Sequence, residues 1–247
     1  MTPSRPLLFG HRGAAGEAPE NTRPGFRIAR ELGLDGIELD VLQCASGEIV
    51  AAHDLTLQRI AGKKRPVKSY TYDELNKLDV GSHFSEQFAG ERIPRLEEVL
   101  DEFGAMWLDI EIKGRSMHSD GIEEKIIRLL QERKLVEKVI LSSFNPFIVR
   151  RIQVMAPEFK VGFNFLQDGY GPLRKIWFRP LAPPFSLHPQ PAQVDQAFMD
   201  YAKNLRARVM PWGVNEPKEI QRLLELGVHG LLSDYPSRLS AMIPTGP

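Results

Sequence analysis

Short runs of apolar residues recur along the chain, and most are followed by an amphipathic stretch with helical periodicity. This alternation, with short connections, predicts a parallel sheet whose strands are joined by helices. Eight runs predict strands that begin near Leu7, Gly36, Met106, Val139, Lys160, Ser186, Arg208 and Gly230. Eight such strands predict an α/β fold of the closed (β/α)₈ TIM-barrel type. An open doubly wound sheet is the alternative, but no GxGxxG fingerprint or Walker loop supports it.

Helix signals fill the intervals between these runs. Asn21-Thr22 predicts the N-cap of a helix over Arg23–Leu32. Further helices are predicted by periodicity and terminal signals at Leu96–Phe103, Gly121–Arg133 and Pro217–Leu226. The sixth strand–helix unit has the weakest signal, because Phe178–Pro191 contains five prolines and is typical of a loop.

One interval is much longer than the others. The second and third strands begin about 70 residues apart, more than twice the spacing between most neighbouring strands. The excess covers approximately residues 54–93 and includes a modest helix candidate at Tyr72–Leu78. A segment of roughly 40 residues is at the lower limit for independent folding. We therefore expect a small insertion on the catalytic rim of a single barrel domain, residues 1–247, and no second domain.

Composition and charge narrow the range of partners and compartments. The chain has 32 Lys+Arg and 32 Asp+Glu, so its formal net charge is zero, whereas nucleic-acid binders usually carry a basic excess. No stretch approaches the roughly 18 apolar residues that a membrane helix needs. The short apolar run near the N-terminus is too short for a signal-peptide core, and Cys44 is the single cysteine. We expect a cytoplasmic protein that does not bind nucleic acid and does not span a membrane.

Two histidines stand where chemistry is expected. His11 and Arg12 directly follow the first predicted strand, and barrel active sites lie at the C-terminal ends of strands. Histidine exchanges a proton near neutral pH, and the planar guanidinium matches phosphate. A second apolar run, Ile49–Ala52, ends in His53-Asp54. These two side chains point in opposite directions if the strand continues, but the two histidines together could supply one base and one acid.

Two of the predicted strands carry acidic residues at alternating positions. Glu38 and Asp40 share one face of the second strand, while Asp109, Glu111 and Lys113 share one face of the third. The apolar residues between them face the helices, so the carboxylates point into the barrel. Like charges side by side there need a cation. Carboxylate oxygens suit Mg²⁺ or Ca²⁺ better than zinc, and Lys113 would meet a phosphate beside that metal, or form an ion pair without one.

Taken in order, these pieces resemble the glycerophosphodiester phosphodiesterase family, and they cover nearly the whole chain. The matching motifs are His11-Arg12-Gly13, Ala18–Thr22, Gly36–Val41, His53-Asp54, Ile93–Leu100, Ile110–Lys113, Ser142–Pro146, Trp212–Asn215 and Gly230–Pro236. There are departures: Gly213 replaces the usual threonine of Trp-Thr-Val-Asn, and Ser233 replaces the threonine of Thr-Asp-x-Pro. These departures concern substrate preference and leave every proposed catalytic and metal position intact.

The resemblance implies a TIM barrel with an insertion after the second strand. It implies metal-dependent hydrolysis of glycerophosphodiesters, such as glycerophosphocholine or glycerophosphoethanolamine, to glycerol 3-phosphate and an alcohol. One divalent cation, Mg²⁺ or Ca²⁺, would bind Glu38, Asp40 and Glu111, and His11 and His53 would be the general base and acid. The side chains implied in substrate binding are Arg12, Lys113, Trp212 and Asn215.

Several alternatives stay open at this level. The attacking oxygen could be water or the 2-hydroxyl of the glycerol, and the base and acid roles of the two histidines could be exchanged. The substrate could be a lysophospholipid, which needs an apolar rim for its acyl chain. The chain could also be a catalytically silent barrel that only binds phosphodiesters.

Overall fold

The computed structural model describes residues 5–165 and 183–244. The strands in these ranges are β1 (Leu7–Gly10), β2 (Gly36–Gln43), β3 (Ile49–Ala51), β4 (Thr56–Leu57), β5 (Lys63–Pro66), β6 (Trp107–Ile112), β7 (Val139–Ser143), β8 (Lys160–Asn164), β9 (Ser186–His188), β10 (Arg208–Val209) and β11 (Gly230–Ser233). Eight of them pair in parallel in the order β10-β9-β8-β7-β6-β2-β1-β11. All eight begin within one residue of a predicted start.

The sheet closes on itself through the segment that follows β10. The Leu232 N–H donates to the Pro211 carbonyl at 3.0 Å, and the Val214 N–H donates to the Leu232 carbonyl at 3.0 Å. These bonds join β11 to the segment after β10, while β1 flanks β11 on its other side. The predicted TIM barrel is therefore confirmed, and the open sheet is not formed.

Helices connect the strands and pack against the barrel. They span Arg23–Glu31, Gln58–Ala61, Tyr72–Leu75, Leu96–Phe103, Ile122–Glu132, Pro146–Met155, Gln196–Asn204, Pro217–Leu226 and Pro236–Met242. Short 3₁₀ turns occupy Val67–Ser69, Glu86–Phe88 and Pro191–Gln193. The helices predicted at Leu96–Phe103 and Pro217–Leu226 have the predicted bounds. The candidate at Tyr72–Leu78 is helical only over Tyr72–Leu75.

The first helix begins at the predicted N-cap, but the side chains of the residues before it make no capping bond. Thr22 lies at the N-cap position, but its hydroxyl donates to the Pro19 carbonyl at 2.6 Å. The Asn21 amide is directed instead at Asp40. Proline in the first turn has a backbone already suited to a helix, so Pro24 supports the helix start without a cap.

Side-chain alternation divides each barrel strand between two environments. On β2, Ile37, Leu39 and Val41 are fully buried and belong to the large core between strands and helices. Glu38 and Asp40 lie on the opposite face, which lines the barrel. Apolar residues also fill part of the barrel interior: Phe9, Ile140, Met210 and Leu232. The packing therefore fixes the direction in which the acidic side chains point.

The insertion is built on an extension of β2. Strand β3 pairs with β2 in antiparallel register, and a small apolar cluster covers this hairpin. The insertion supplies Leu57, Ile60, Val67, Tyr70, Leu75, Val80 and Ile93 to the cluster, and the hairpin supplies Leu42, Cys44, Val50 and Ala52. The insertion thus shares its apolar cluster with residues of the barrel.

The sixth strand lies within the segment whose sequence is typical of a loop. Strand β9, Ser186–His188, is fully buried between β8 and β10. Residues 178–182 of the predicted loop lie outside the described residues. Within the described ranges, no helix has both the length and the apolar character that crossing a membrane requires.

Candidate active site

Three buried carboxylates meet at the C-terminal ends of two neighbouring strands. Glu38 and Asp40 project from β2 and Glu111 from β6, and the register places Asp40 opposite Glu111. One oxygen from each lies within 4.8 Å of the others. Their exposed fractions are 3%, 1% and 6%. The structure therefore brings together the three side chains that the sequence predicts as metal ligands.

The three carboxylates differ in how far neighbouring positive charges compensate their own negative charge. Lys113 Nζ lies 3.0 Å from Asp40 Oδ1 and 2.5 Å from Glu111 Oε1. Although burial acts to raise the pKa of Asp40, Lys113 and Arg12 hold it well below its usual range. Burial raises the pKa of Glu111 in spite of Lys113, and it raises the pKa of Glu38 well above its usual range, with Asp40 and Glu111 adding to the effect. Two of the carboxylates therefore lack full compensation of their charge.

Glu38 in particular fits a site for a cation. Its Oε2 accepts the Arg12 backbone N–H at 2.7 Å, and His11 Nε2 lies 3.8 Å from the same oxygen. A divalent cation would compensate the charge that desolvation and the neighbouring carboxylates otherwise penalise. The donors are all carboxylate oxygens, the ligands that hard cations prefer. A metal ion could therefore bind this buried acidic cluster.

His11 is held by a carboxylate that the sequence analysis assigned no role. Its Nδ1 lies 2.6 Å from Asp234 Oδ1, and its Nε2 lies on the side of Glu38. Asn215 Nδ2 donates to the other oxygen, Asp234 Oδ2, at 2.6 Å. Although burial acts to raise the pKa of Asp234, the bonds from His11 and Asn215 lower it. The ionised Asp234 accepts a hydrogen bond from Nδ1–H, which leaves His11 Nε2 available for proton transfer.

His53 forms a second pair of the same kind. Its Nδ1 lies 2.7 Å from Asp54 Oδ1. Strand β3 ends at Ala51, so side-chain alternation no longer separates His53 from Asp54. Burial lowers the pKa of His53 in spite of the opposing charge of Asp40. The His53 side chain is 29% exposed, against 10% for His11, which places His53 nearer the mouth of the site.

The backbone of Arg12 adopts a conformation that is energetically unfavourable for residues other than glycine. Its φ of 49° lies in the left-handed region, and such residues concentrate at functional sites. Two backbone bonds hold it there: its N–H donates to Glu38, and its carbonyl accepts the Asn21 N–H at 3.0 Å. Its buried Nε makes no hydrogen bond to any described residue and lies 3.5 Å from Asp40 Oδ2. A guanidinium held beside the acidic cluster suits a phosphate.

Aromatic rings form one wall of the site. The Trp212 ring centroid lies 6.0 Å from that of His11 and 5.8 Å from that of Phe144, which it meets edge-on. Trp212 Nε1 donates to the His188 carbonyl at 3.1 Å, so the indole is fixed. The Lys113 ammonium lies 5.7 Å from the Phe144 centroid. The predicted substrate residues Arg12, Lys113 and Trp212 thus border the carboxylate cluster and His11.

A second polar group lies deeper in the barrel. Asp109 accepts a bond from Ser142 Oγ at 2.7 Å, and His188 Nδ1 lies 3.3 Å from Asp109 Oδ2. Burial raises the pKa of Asp109 to about 8 and lowers that of His188 to about 3, so both are mainly neutral at pH 7. His188 lies inside the barrel and not on its rim, because only 1% of it is exposed and Ser186 contacts its Nε2.

Sequence reasoning missed two side chains that hold the predicted ones. Asn164 Nδ2 donates to Glu111 Oε2 at 3.0 Å, and nothing in the sequence pattern marks it. Asp234 was part of a matching motif without a role. A signal for it existed, since closure of the barrel places the end of β11 beside the end of β1, with Ser233 opposite Gly10.

Comparison with known proteins agrees with this geometry. The chain matches the glycerophosphoryl diester phosphodiesterase family over residues 11–238. It is 38% identical over 243 residues to a glycerophosphodiester phosphodiesterase of Caldanaerobacter subterraneus subsp. tengcongensis, covering 97% of this chain and 98% of that protein. It is 26% identical to human lysophospholipase D GDPD1, covering 94% and 84%. It resembles the structure of an Oleispira antarctica phosphodiesterase in complex with the product sn-glycerol-3-phosphate, with a TM-score of 0.83, 26% identity and 97% coverage of each chain.

Proposed function

Because the chain belongs to the glycerophosphoryl diester phosphodiesterase family, we propose that it hydrolyses glycerophosphodiesters to glycerol 3-phosphate and an alcohol. One observation carries the proposal beyond the family. Two histidines, each bonded through Nδ1 to an aspartate, stand at a cluster of three buried carboxylates. Two such histidines can supply the base and the acid that cleavage of a phosphodiester requires. Glycerophosphocholine and glycerophosphoethanolamine are the substrates we propose.

Glu38, Asp40 and Glu111 would hold one divalent cation, Mg²⁺ or Ca²⁺. When bound, the cation supplies charge stabilisation to the phosphoryl oxygens as negative charge develops on them. Two neighbours position these carboxylates. Asn21 bonds to Asp40 through both ends of its amide, and Asn164 bonds to Glu111. Held in this way, the oxygens lose little conformational freedom when the cation binds.

His11 is the general base in this proposal and His53 the general acid. Asp234 keeps the proton of His11 on Nδ1, so Nε2 presents its lone pair on the side of Glu38, where it would take the proton of the attacking oxygen, whether of water or of the glycerol 2-hydroxyl. His53 lies nearer the mouth, and in its doubly protonated form it would donate the proton of Nε2 to the leaving alcohol while the proton of Nδ1 stays bonded to Asp54. Each proton transfer contributes about 10²–10⁴ in rate.

The remaining predicted residues bind the substrate. Arg12 would bring its guanidinium to the phosphate from beside Asp40, and Lys113 would add a charge on the side of Asp40 and Glu111. Trp212 offers its ring to the glycerol. Both ends of the Asn215 amide are bonded to Asp234 and its neighbour Ser233, so in this proposal Asn215 acts on the substrate through Asp234 and His11.

The experiment is a measurement of glycerol 3-phosphate release from glycerophosphocholine, with and without Mg²⁺ or Ca²⁺, beside turnover of a lysophospholipid at the same concentration. The proposal expects cation-dependent release and faster turnover of the short diester. Faster turnover of the lysophospholipid would instead support the second substrate class. Tight binding of glycerophosphocholine without turnover, at every cation tested, would support a silent barrel and contradict the proposal.

Two predictions from the sequence accompany this function. We propose that the chain is one domain, because the apolar cluster of the insertion includes residues of the β2–β3 hairpin. A cytoplasmic location stays a prediction, and fractionation of the producing cells tests it.

A further inference from the structure

Arg59 lies in the insertion and is bonded on both sides of the site mouth. It belongs to the short helix Gln58–Ala61. Its Nε donates to Asp54 Oδ2 at 3.0 Å, while Nη1 and Nη2 each donate to one oxygen of Glu20 at 2.6 Å. All three nitrogens of the guanidinium are therefore bonded to two carboxylates that come from different parts of the chain.

Each of these carboxylates contacts a side chain of the proposed machinery. Asp54 contacts His53 through Oδ1, at 2.7 Å, and keeps Oδ2 for Arg59. Glu20 lies in the loop between β1 and the first helix, and its Oε2 lies 3.4 Å from Arg12 Nη1. The result is a continuous chain of bonds from His53 through Asp54, Arg59 and Glu20 to Arg12.

We propose that Arg59 is a positioning residue that holds the side chains of the general acid His53 and the phosphate-binding Arg12 in fixed positions relative to each other. The inference rests on the function proposed above, and it gives the insertion a part in catalysis. Arg59 fixes the ring of His53 through Asp54, and it fixes the guanidinium of Arg12 through Glu20. A planar fork is needed for this, because a lysine presents one point charge and cannot satisfy both carboxylates in the same geometry.

The competing explanation is that Arg59 only fastens the insertion to the barrel. Exposed ion pairs contribute about 0.2–1 kcal/mol to stability, so a fastening role predicts a small change in melting temperature and unchanged kinetics. The chain offers a matched control for this comparison. Arg27 donates to Glu102 from Nε at 2.6 Å and from Nη2 at 3.1 Å, on the helical face of the barrel. Its side chain is 47% exposed, against 46% for Arg59.

The kinetic test compares Arg59→Gln, Arg59→Lys and Arg27→Gln with the wild type. For Arg59→Gln we expect kcat to fall about 10-fold to 100-fold, the usual effect of losing an orienting partner, and KM to rise. Arg59→Lys should recover part of the loss, and Arg27→Gln should match the wild type. Asp54→Asn should reproduce mainly the fall in kcat and Glu20→Gln mainly the rise in KM. Adding Asp54→Asn to Arg59→Gln should lower kcat little further, since both act on His53.

A readout without substrate separates failure of the inference from failure of the proposed function. In the free protein, imidazole ¹⁵N shifts of His53 should report a proton fixed on Nδ1, and Arg59→Gln should move them towards the values of a freely exchanging ring. Arg27→Gln should not move them. If the wild type releases no glycerol 3-phosphate, the proposed function fails and these shifts still decide the inference. Shifts and kinetics of Arg59→Gln equal to those of Arg27→Gln would overturn it.

Discussion

Replacement of Asp234 by asparagine should remove the basic nitrogen of His11 while leaving the shape of the site intact. The reason lies in the hydrogen bonds around Asn215. Its Oδ1 accepts bonds from Ser233 Oγ at 3.1 Å and from the Asp234 N–H at 2.9 Å, so its Nδ2 must face Asp234 as a donor. An amide at position 234 can satisfy that donor only by turning its oxygen towards Asn215 and its NH₂ towards His11.

That orientation forces the wrong tautomer on His11. A donor at 2.6 Å from Nδ1 requires Nδ1 to accept, so the imidazole proton moves to Nε2, which can then no longer act as the base. We expect kcat for Asp234→Asn to fall by about 10²–10⁴, the range for loss of one proton transfer, with little change in KM. Asp234→Ala should be less harmful, because without the opposing donor His11 can keep its proton on Nδ1.

The assay is steady-state release of glycerol 3-phosphate from glycerophosphocholine, with melting temperatures measured on each variant. The order of activity, wild type above Asp234→Ala above Asp234→Asn, is the diagnostic result, because simple loss of a contact predicts no penalty of asparagine over alanine. Asp234→Asn within about threefold of the wild type would refute the tautomer argument, since it would leave less than about 0.7 kcal/mol of effect.

Three further predictions concern metal, pH and domain structure. Mg²⁺ or Ca²⁺ at about 100 times its Kd should raise the melting temperature by roughly 5–10 °C in calorimetry, and Glu111→Gln should abolish the rise while the exposed control Glu137→Gln keeps it. The pKa of Asp109 is about 8 in the folded protein and about 4 when unfolded, so the folded state binds more protons and stability falls as pH rises between these values. The free energy of unfolding of Asp109→Asn should therefore rise relative to that of the wild type as pH increases from 4 to 8, as measured by urea titrations. A difference between the two proteins that stays the same over this pH range would contradict the raised pKa of Asp109. Thermal unfolding followed by circular dichroism and by tryptophan fluorescence should give one coincident transition, whereas a separate early transition would show that the insertion folds independently.

The sequence predicts the barrel well because its strands carry a pattern with one physical solution. On β2 and β6 the apolar residues are fully buried on the helix side, and this leaves the acidic residues one direction in which to point. Side-chain alternation therefore predicts from the sequence alone that Glu38, Asp40 and Glu111 face the same interior, and the structure brings them together. The long interval after β2 likewise predicts the insertion, because one crossover helix cannot use so many residues.

The parts that could not be predicted depend on contacts between distant segments. Asp234 is 223 residues from His11 in sequence, and only the closed register of β1 with β11 brings them together. His188 precedes a proline and is typical of a loop residue, yet the barrel buries it beside Asp109. Asn21 has the residue type of a helix cap, but its backbone adopts a positive φ and its amide binds Asp40, so tertiary contacts override the local preference.

The most direct test of the central claim uses two substrates that differ only in their leaving group. Glycerophosphocholine needs a proton on its departing alkoxide, whereas a glycerophospho-p-nitrophenyl ester releases a stable anion without one. The two-histidine account predicts that His53→Gln loses about 10²–10⁴ in kcat with glycerophosphocholine and nearly none with the nitrophenyl ester, while His11→Gln loses activity with both. Equal losses for His53→Gln on the two substrates would contradict general-acid catalysis by His53 and, with it, the proposed mechanism.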